Sequence, residues 1–185
     1  PYLMARPFLA AVAPEPPEVR RFFESIVEQK LEGEPALPKD AVTAVVSQTA
    51  AALAFHDRAT TGKLHPRTRQ QLDRMWTLQR ADGGWEWPFR DTPPMKSDEH
   101  YGVVLAALAA SAAPENYCAT ERARNGLTGV RKFLAAHPPQ SLHQKAMLLW
   151  GTSQIEEFIS AANKSLFIKD LVIAQQPNGS WYLPC

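Results

Sequence analysis

Apolar positions recur along most of the chain at the spacing of a helix face. Pro16-Pro17 precedes Val19, Phe22, Phe23, Ile26 and Val27, which fall on one side of a helix. Pro38 opens a stretch rich in Ala and Val that runs to about Phe55, and its nearly continuous apolar content predicts a helix covered on several sides. Thr60-Thr61-Gly62 ends it. His65-Pro66 opens the next helix, with Leu72, Met75, Trp76 and Leu78 on one face. An irregular stretch, roughly 81–97, holds two Gly and three Pro. From about Asp98 to Ala113 the chain is apolar on most sides again (Val103 to Leu108), and Pro114 stops it. A more polar helix is predicted over about 119–136, ending at His137-Pro138-Pro139. An apolar one follows over about 141–152. One or two amphipathic helices lie between Gln154 and Gln175, before the turn Pro177-Asn178-Gly179-Ser180. No run alternates with a period of two, so no substantial sheet is expected.

Strongly apolar helices (about 41–55, 98–113 and 141–152) thus alternate with amphipathic ones (about 66–80, 119–136 and 155–175). An apolar helix needs cover on both sides, whereas an amphipathic helix can face water. Two layers satisfy both demands. The expected fold class is therefore all-α, with helical hairpins whose apolar members form an inner layer and whose amphipathic members form an outer one.

Composition narrows the reading. The chain has 185 residues, 45% of them apolar and 21% charged, enough to build a core and too apolar for wholesale disorder. A formal charge of +1 gives no electrostatic footprint for nucleic acid. No apolar run approaches the ~18 residues of a transmembrane helix. The two cysteines, Cys118 and Cys185, are too few for a disulfide framework. The organisation expected is one domain over 1–185, with 38–185 as a repeat region and 1–37 as preceding helices.

The repeat is visible in two segments. Residues 76–85 (Trp-Thr-Leu-Gln-Arg-Ala-Asp-Gly-Gly-Trp) match 172–181 (Val-Ile-Ala-Gln-Gln-Pro-Asn-Gly-Ser-Trp). Gln79 and Gln175 lie 96 residues apart, room for two helical hairpins of about 48 residues. The intervening unit has the helices without the signature, since no Gln-to-Trp pattern occurs around Phe133 to Pro139. Physically, the Gln is expected to bond carbonyls left open at the end of an outer helix. The Gly pair would let the backbone turn through left-handed geometry, and the Trp would cover the junction.

Gln79, Gly84, Trp85 and Gln175, Gly179, Trp181 resemble the QW motifs of the squalene–hopene cyclase and oxidosqualene cyclase superfamily, the prenyltransferase and squalene-oxidase repeat. The resemblance covers roughly 40–185 and implies an α/α toroid, here a partial one. It does not select an activity, because the same toroid serves protein prenyltransferase β-subunits, complement thioester domains, cobalamin carriers and some polysaccharide lyases. The family's cyclases protonate substrate with the middle Asp of an Asp-x-Asp-Asp motif at the start of an apolar helix. The matching stretch is Lys96-Ser97-Asp98-Glu99. Asp98 takes the middle position and Glu99 the third. Lys96 replaces the first Asp, and His100-Tyr101-Gly102 replaces the usual Thr-Ala.

Protonating an alkene needs a strong acid in a water-poor pocket, and the cations that follow need aromatic faces. On the cyclase reading Asp98, Glu99 and His100 form the catalytic cluster. Trp85, Trp87 and Tyr101 line the substrate site, with Phe89 beside them. Lys96 opposes this role, since a nearby ammonium favours the carboxylate. The structural alternative makes Ser97 an N-cap and Asp98 and Glu99 acidic first-turn residues suited to the helix dipole. No cofactor is implied. No metal site is expected either: the Asp-x-Cys pattern of the prenyltransferases is absent, with Asn116 two residues before Cys118. No nucleophile elbow, Cys-Gly-Glu-Gln thioester sequence or phosphate loop is readable. Arg67, Arg69 and Arg74 read as a solvated face.

Two functions remain open from the sequence. One is a triterpene cyclase-like enzyme acting on an apolar polyisoprenoid. The other is a non-catalytic toroid module that binds an apolar or peptide ligand or serves as a scaffold. Three or four hairpins would leave an inner apolar wall exposed. The expected partners are therefore an apolar small molecule, the remainder of a longer chain, or other chains in an oligomer.

Overall fold

A computed structural model describes residues 17–28, 37–88, 98–155 and 158–182. These residues form seven α-helices: α1 (Pro17–Glu28), α2 (Lys39–Ala59), α3 (Pro66–Thr77), α4 (Glu99–Ala112), α5 (Glu121–Ala136), α6 (Leu142–Thr152) and α7 (Ala161–Ala174). A 3₁₀ turn at Tyr117–Ala119 precedes α5, and no strand occurs among the described residues. The starts follow local chemistry. Pro66 holds the first position of α3, and the ring of His65 accepts from the Arg67 amide. Thr120 caps α5, and Ser160 caps α7. Ser141 and Gln144 form a capping box at α6, each side chain satisfying the other's backbone amide.

The helices pack in two rows. α2 lies against α4 and α4 against α6, so the apolar helices are successive neighbours. α3 covers α2, α5 covers α4 and touches α3, and α7 covers α6. Small side chains make the inner row close. Ala50, Ala51 and Ala54 of α2 and Ala106, Ala107, Ala109 and Ala110 of α4 are buried. Leu53, Leu72, Met75, Val103, Leu108 and Phe133 fill the space around them. α1 joins through charge. Arg20 bonds the buried Asp57 of α2 at 2.7 Å and Glu24 at 2.8 Å. The other oxygen of Asp57 accepts the His65 amide at 2.9 Å, so one carboxylate ties α1, the end of α2 and the start of α3 together.

The last hairpin departs from expectation. α6 buries only Met147, Leu148 and Gly151, and Trp150 is exposed. α7, expected to be amphipathic, buries Phe167 alone and exposes Leu166, Ile168, Val172 and Ile173. The reason is positional: α5 covers α4, but no described helix covers the far side of α6 and α7.

Candidate functional site

The two motifs fold into the same hydrogen-bonded turn. In the first, Gln79 Nε2 donates to Gly83 O at 3.0 Å, and Trp85 Nε1 donates to Met75 O at 3.0 Å. In the second, Gln175 Nε2 donates to Gly179 O at 3.0 Å, and Trp181 Nε1 to Leu171 O at 2.7 Å. The amides of Arg80 and Gln176 bond the carbonyls of Gly84 and Ser180, each at 2.8 Å. Asp82 and Asn178 each accept the amide two residues on. Gly83 and Gly179 carry positive φ, as the turn requires.

Trp85 covers the junction as expected, fully buried, but the carbonyl-bonding role expected of the Gln falls to the Trp as well. It is the indole that satisfies a carbonyl at the end of the outer helix. The Gln reaches forward instead. Gln79 Nε2 also donates to Gly126 O of α5 at 2.9 Å. A methyl group on Gly126 would overlap the Trp76 ring, and one on Gly83 would overlap the Gly129 carbonyl. The first motif is thus a joint between α3 and α5. The middle unit makes its turn differently. The Phe133 and His137 rings stack with centroids 4.2 Å apart, and His100 Nε2 donates to His137 O at 2.8 Å.

The chemistry expected around Asp98 assembles at the N-terminal ends of α4 and α6. Asp98 is itself the N-cap of α4, only 3% exposed, and its Oδ1 accepts the Tyr101 amide at 3.2 Å. This corrects the assignment of the cap to Ser97, which with Lys96 and Phe89 lies outside the described residues. Gln144 Nε2 donates to the same oxygen at 3.5 Å. His143 Nε2 stands 3.1 Å from Oδ2, at ion-pair distance without the alignment of a hydrogen bond. Tyr101 stacks on His143 with centroids 6.2 Å apart, and Trp87 leans on Tyr101 at 5.5 Å. Gly102 gives Trp87 its place, since a methyl group there would overlap the indole. Burial, and then the neighbouring Asp98 charge, push the Tyr101 phenol above its ordinary range.

The other expected site residues point elsewhere. Glu99 pairs with Arg80 through two bonds of 2.7 and 3.1 Å. The carboxylates of Glu99 and then Asp82 hold the Arg80 guanidinium above its ordinary range. His100 faces Phe133 and the His137 carbonyl. Trp85 is fully buried beside Trp76, with ring centroids 5.7 Å apart. Only Asp98, Trp87 and Tyr101 of the six share one place. His143 and Gln144, which complete it, were not assigned from the sequence to this site. The Ser141–Gln144 capping box marks the helix start that carries them, but it does not set that start against Asp98. Among the described residues no group of three or more His, Cys, Asp or Glu is placed to hold a metal ion. Of the arginines expected on a solvated face, Arg67 pairs with Glu28, and Arg69 lies 3.8 Å from Glu115. Two open clefts lie on the outer surface. One, of about 440 Å³, is lined by Trp76, Gln79, Arg122 and Gly126. The other, of about 530 Å³, lies beside Cys118, Arg124 and Arg131. No described helix is long and apolar enough to cross a membrane.

Comparison with protein-family models, with curated proteins and with solved structures finds no match.

Proposed function

We propose that the chain is a terpenoid cyclase-like α/α-toroid module that binds an apolar ligand at the N-terminal ends of α4 and α6. The ligand lies against the row formed by Trp87, Tyr101 and His143. The alternation of inner and outer helices and the bond-for-bond repeat of the two motifs support the toroid. The observation that carries binding over protonation is the occupancy of Asp98. Its Oδ1 accepts the Tyr101 amide and the Gln144 amide, and its Oδ2 faces His143. A proton donor must present one carboxyl oxygen to the substrate. Here Oδ1 caps α4, and Oδ2 stands 3.1 Å from His143 Nε2 on a residue only 3% exposed, so neither oxygen opens to a ligand.

One observation favours the enzymatic reading. Asp98 is buried beside aromatic rings, which attract positive charge. The experiment separates the two. Squalene or a shorter polyisoprenoid is titrated against the chain, with tryptophan emission and product formation both followed. The binding reading predicts saturable quenching without turnover, lost in Tyr101→Ala with helicity retained. Product formed by the wild type and abolished in Asp98→Asn establishes the enzyme. No quenching and no product overturns the site altogether.

A further inference from the structure

The two motifs are alike in their internal bonds and unlike in their surroundings. Ninety-six residues separate each pair of equivalent positions. Leu72 is 0% exposed and Ile168 46%. Trp76 is 7% exposed and Val172 64%. Trp85 is 0% exposed and Trp181 45%. A methyl group on Gly83 would overlap the Gly129 carbonyl, whereas one on Gly179 would meet only the Gln175 amide at 3.9 Å. Gln79 Nε2 divides its two hydrogens between its own turn and Gly126 O. Gln175 Nε2 makes the first of these bonds and not the second among the described residues.

We infer that the surface formed by Ile168, Val172, Gln175, Gly179 and Trp181 is a preformed docking site for a helix of the α5 kind. The first motif shows what such a surface takes. Its occupant is a helix with two small residues three apart, as Gly126 and Gly129 are. The first leaves its carbonyl open to the glutamine amide, and the second lets the backbone come against the positive-φ glycine of the turn. A methyl group on Gly129 would stand 2.7 Å from Gln79 Nε2, the amide that makes the joining bond, so the second position takes glycine. At the first position the smaller Val172, standing where Trp76 stands, leaves room for alanine or serine. A second copy of this chain does not supply such a helix. Among its described helices only α5 carries a small residue followed three positions later by glycine, and α5 is already covered by its own α3. The occupant is therefore a helix of further polypeptide, and the surface is the seat on which another hairpin is added. The inference rests on the repeat architecture of the proposed module and not on its aromatic row. Loss of ligand binding leaves it standing, and failure of docking leaves ligand binding standing.

The test supplies such a hairpin. A second copy of residues 98–139 is joined after Cys185 through a flexible linker of about ten residues, which holds it at an effective concentration on the order of millimolar. The Trp181 indole and Gln175 side-chain amide are followed by NMR and hydrogen exchange. Docking predicts at least about tenfold slower exchange at both, with the gain removed by Gly126→Leu in the added copy. A helical added hairpin without protection at these groups overturns the inference. So does a wild-type chain that is dimeric with Trp181 already protected, since the occupant would then be a second copy. Should the added hairpin not be helical, a peptide of residues 119–139 at millimolar concentration decides. Shifts at the same two side chains support docking, and their silence overturns it.

Discussion

The truncations Trp85→Ala and Trp181→Ala remove the same group from the same turn, so their difference measures what covers it. Both indoles donate to a carbonyl ten residues earlier, at 3.0 and 2.7 Å, and that bond cancels in the comparison. Trp85 is 0% exposed. A tryptophan buries about 150–250 Å², which at ~25 cal/mol per Å² is worth about 4–6 kcal/mol. Truncations of this type cost about 3–5 kcal/mol. Trp181 keeps 45% of its surface in water, so the same arithmetic gives about 2–3 kcal/mol. For a chain of this length each kcal/mol moves Tm by about 2–4 °C. Taking about 4–5 kcal/mol, where the two ranges overlap, Trp85→Ala should lower Tm by about 8–20 °C and Trp181→Ala by about 4–12 °C. Helix ellipticity under heat and urea is the assay, because the substitutions alter the fluorescence. Equal losses, within about 0.5 kcal/mol, would mean that α5 adds nothing to the sealing of the first motif, and the joint described here would be wrong.

Two further outcomes follow from the same structure. Gly83→Ala and Gly179→Ala both place a side chain at positive φ, a strain of about 1 kcal/mol. Only at Gly83 does the new methyl also meet the Gly129 backbone, so thermal denaturation should show a loss larger by about 1–3 kcal/mol there. Burial, and then the bond to Asp73 at 2.8 Å, push the Tyr117 phenol above its ordinary range. The unfolded phenol releases its proton near pH ~10 while the folded one keeps it. The contribution is whole below that pH and is lost as pH rises further. Tyr117→Phe should cost about 1 kcal/mol at pH 7 and show a shallower fall above pH 10 in urea unfolding.

Much of the helical order was legible because proline and glycine punctuate it. Pro38, Pro66 and Pro114 stand at ends that the structure keeps, and the alternation of apolar and amphipathic segments gave the two rows. Its weak point was the last helix. Leu166, Ile168, Val172 and Ile173 surround α7 rather than marking one face, and spacing alone could not tell which of them would be covered. The motif was found by its residues, but the division of labour inside it was not. The indole bond and the glutamine's bond to its own turn form in both motifs, whereas the glutamine's second bond depends on the next outer helix, some 47 residues on. The site was legible only along the chain. Asp98, Glu99 and His100 are adjacent in sequence and turn to three different neighbours, while His143 and Gln144 come from α6 through the close approach of two helix starts. Such a meeting carries no local periodicity.

The joint between the first motif and α5 has a sense of direction. The first turn is sealed by the hairpin that comes after it, through Gly126 and Gly129 of α5. An array built this way behaves like a zipper whose teeth close from one end. Opening should begin at α7, where the seal is open, and travel toward α2, so that amide protection falls steadily along the sequence rather than collapsing at once. The strength of the molecule is thus graded, with its most durable part around α2 and α4 and its most yielding part where new partners would be met.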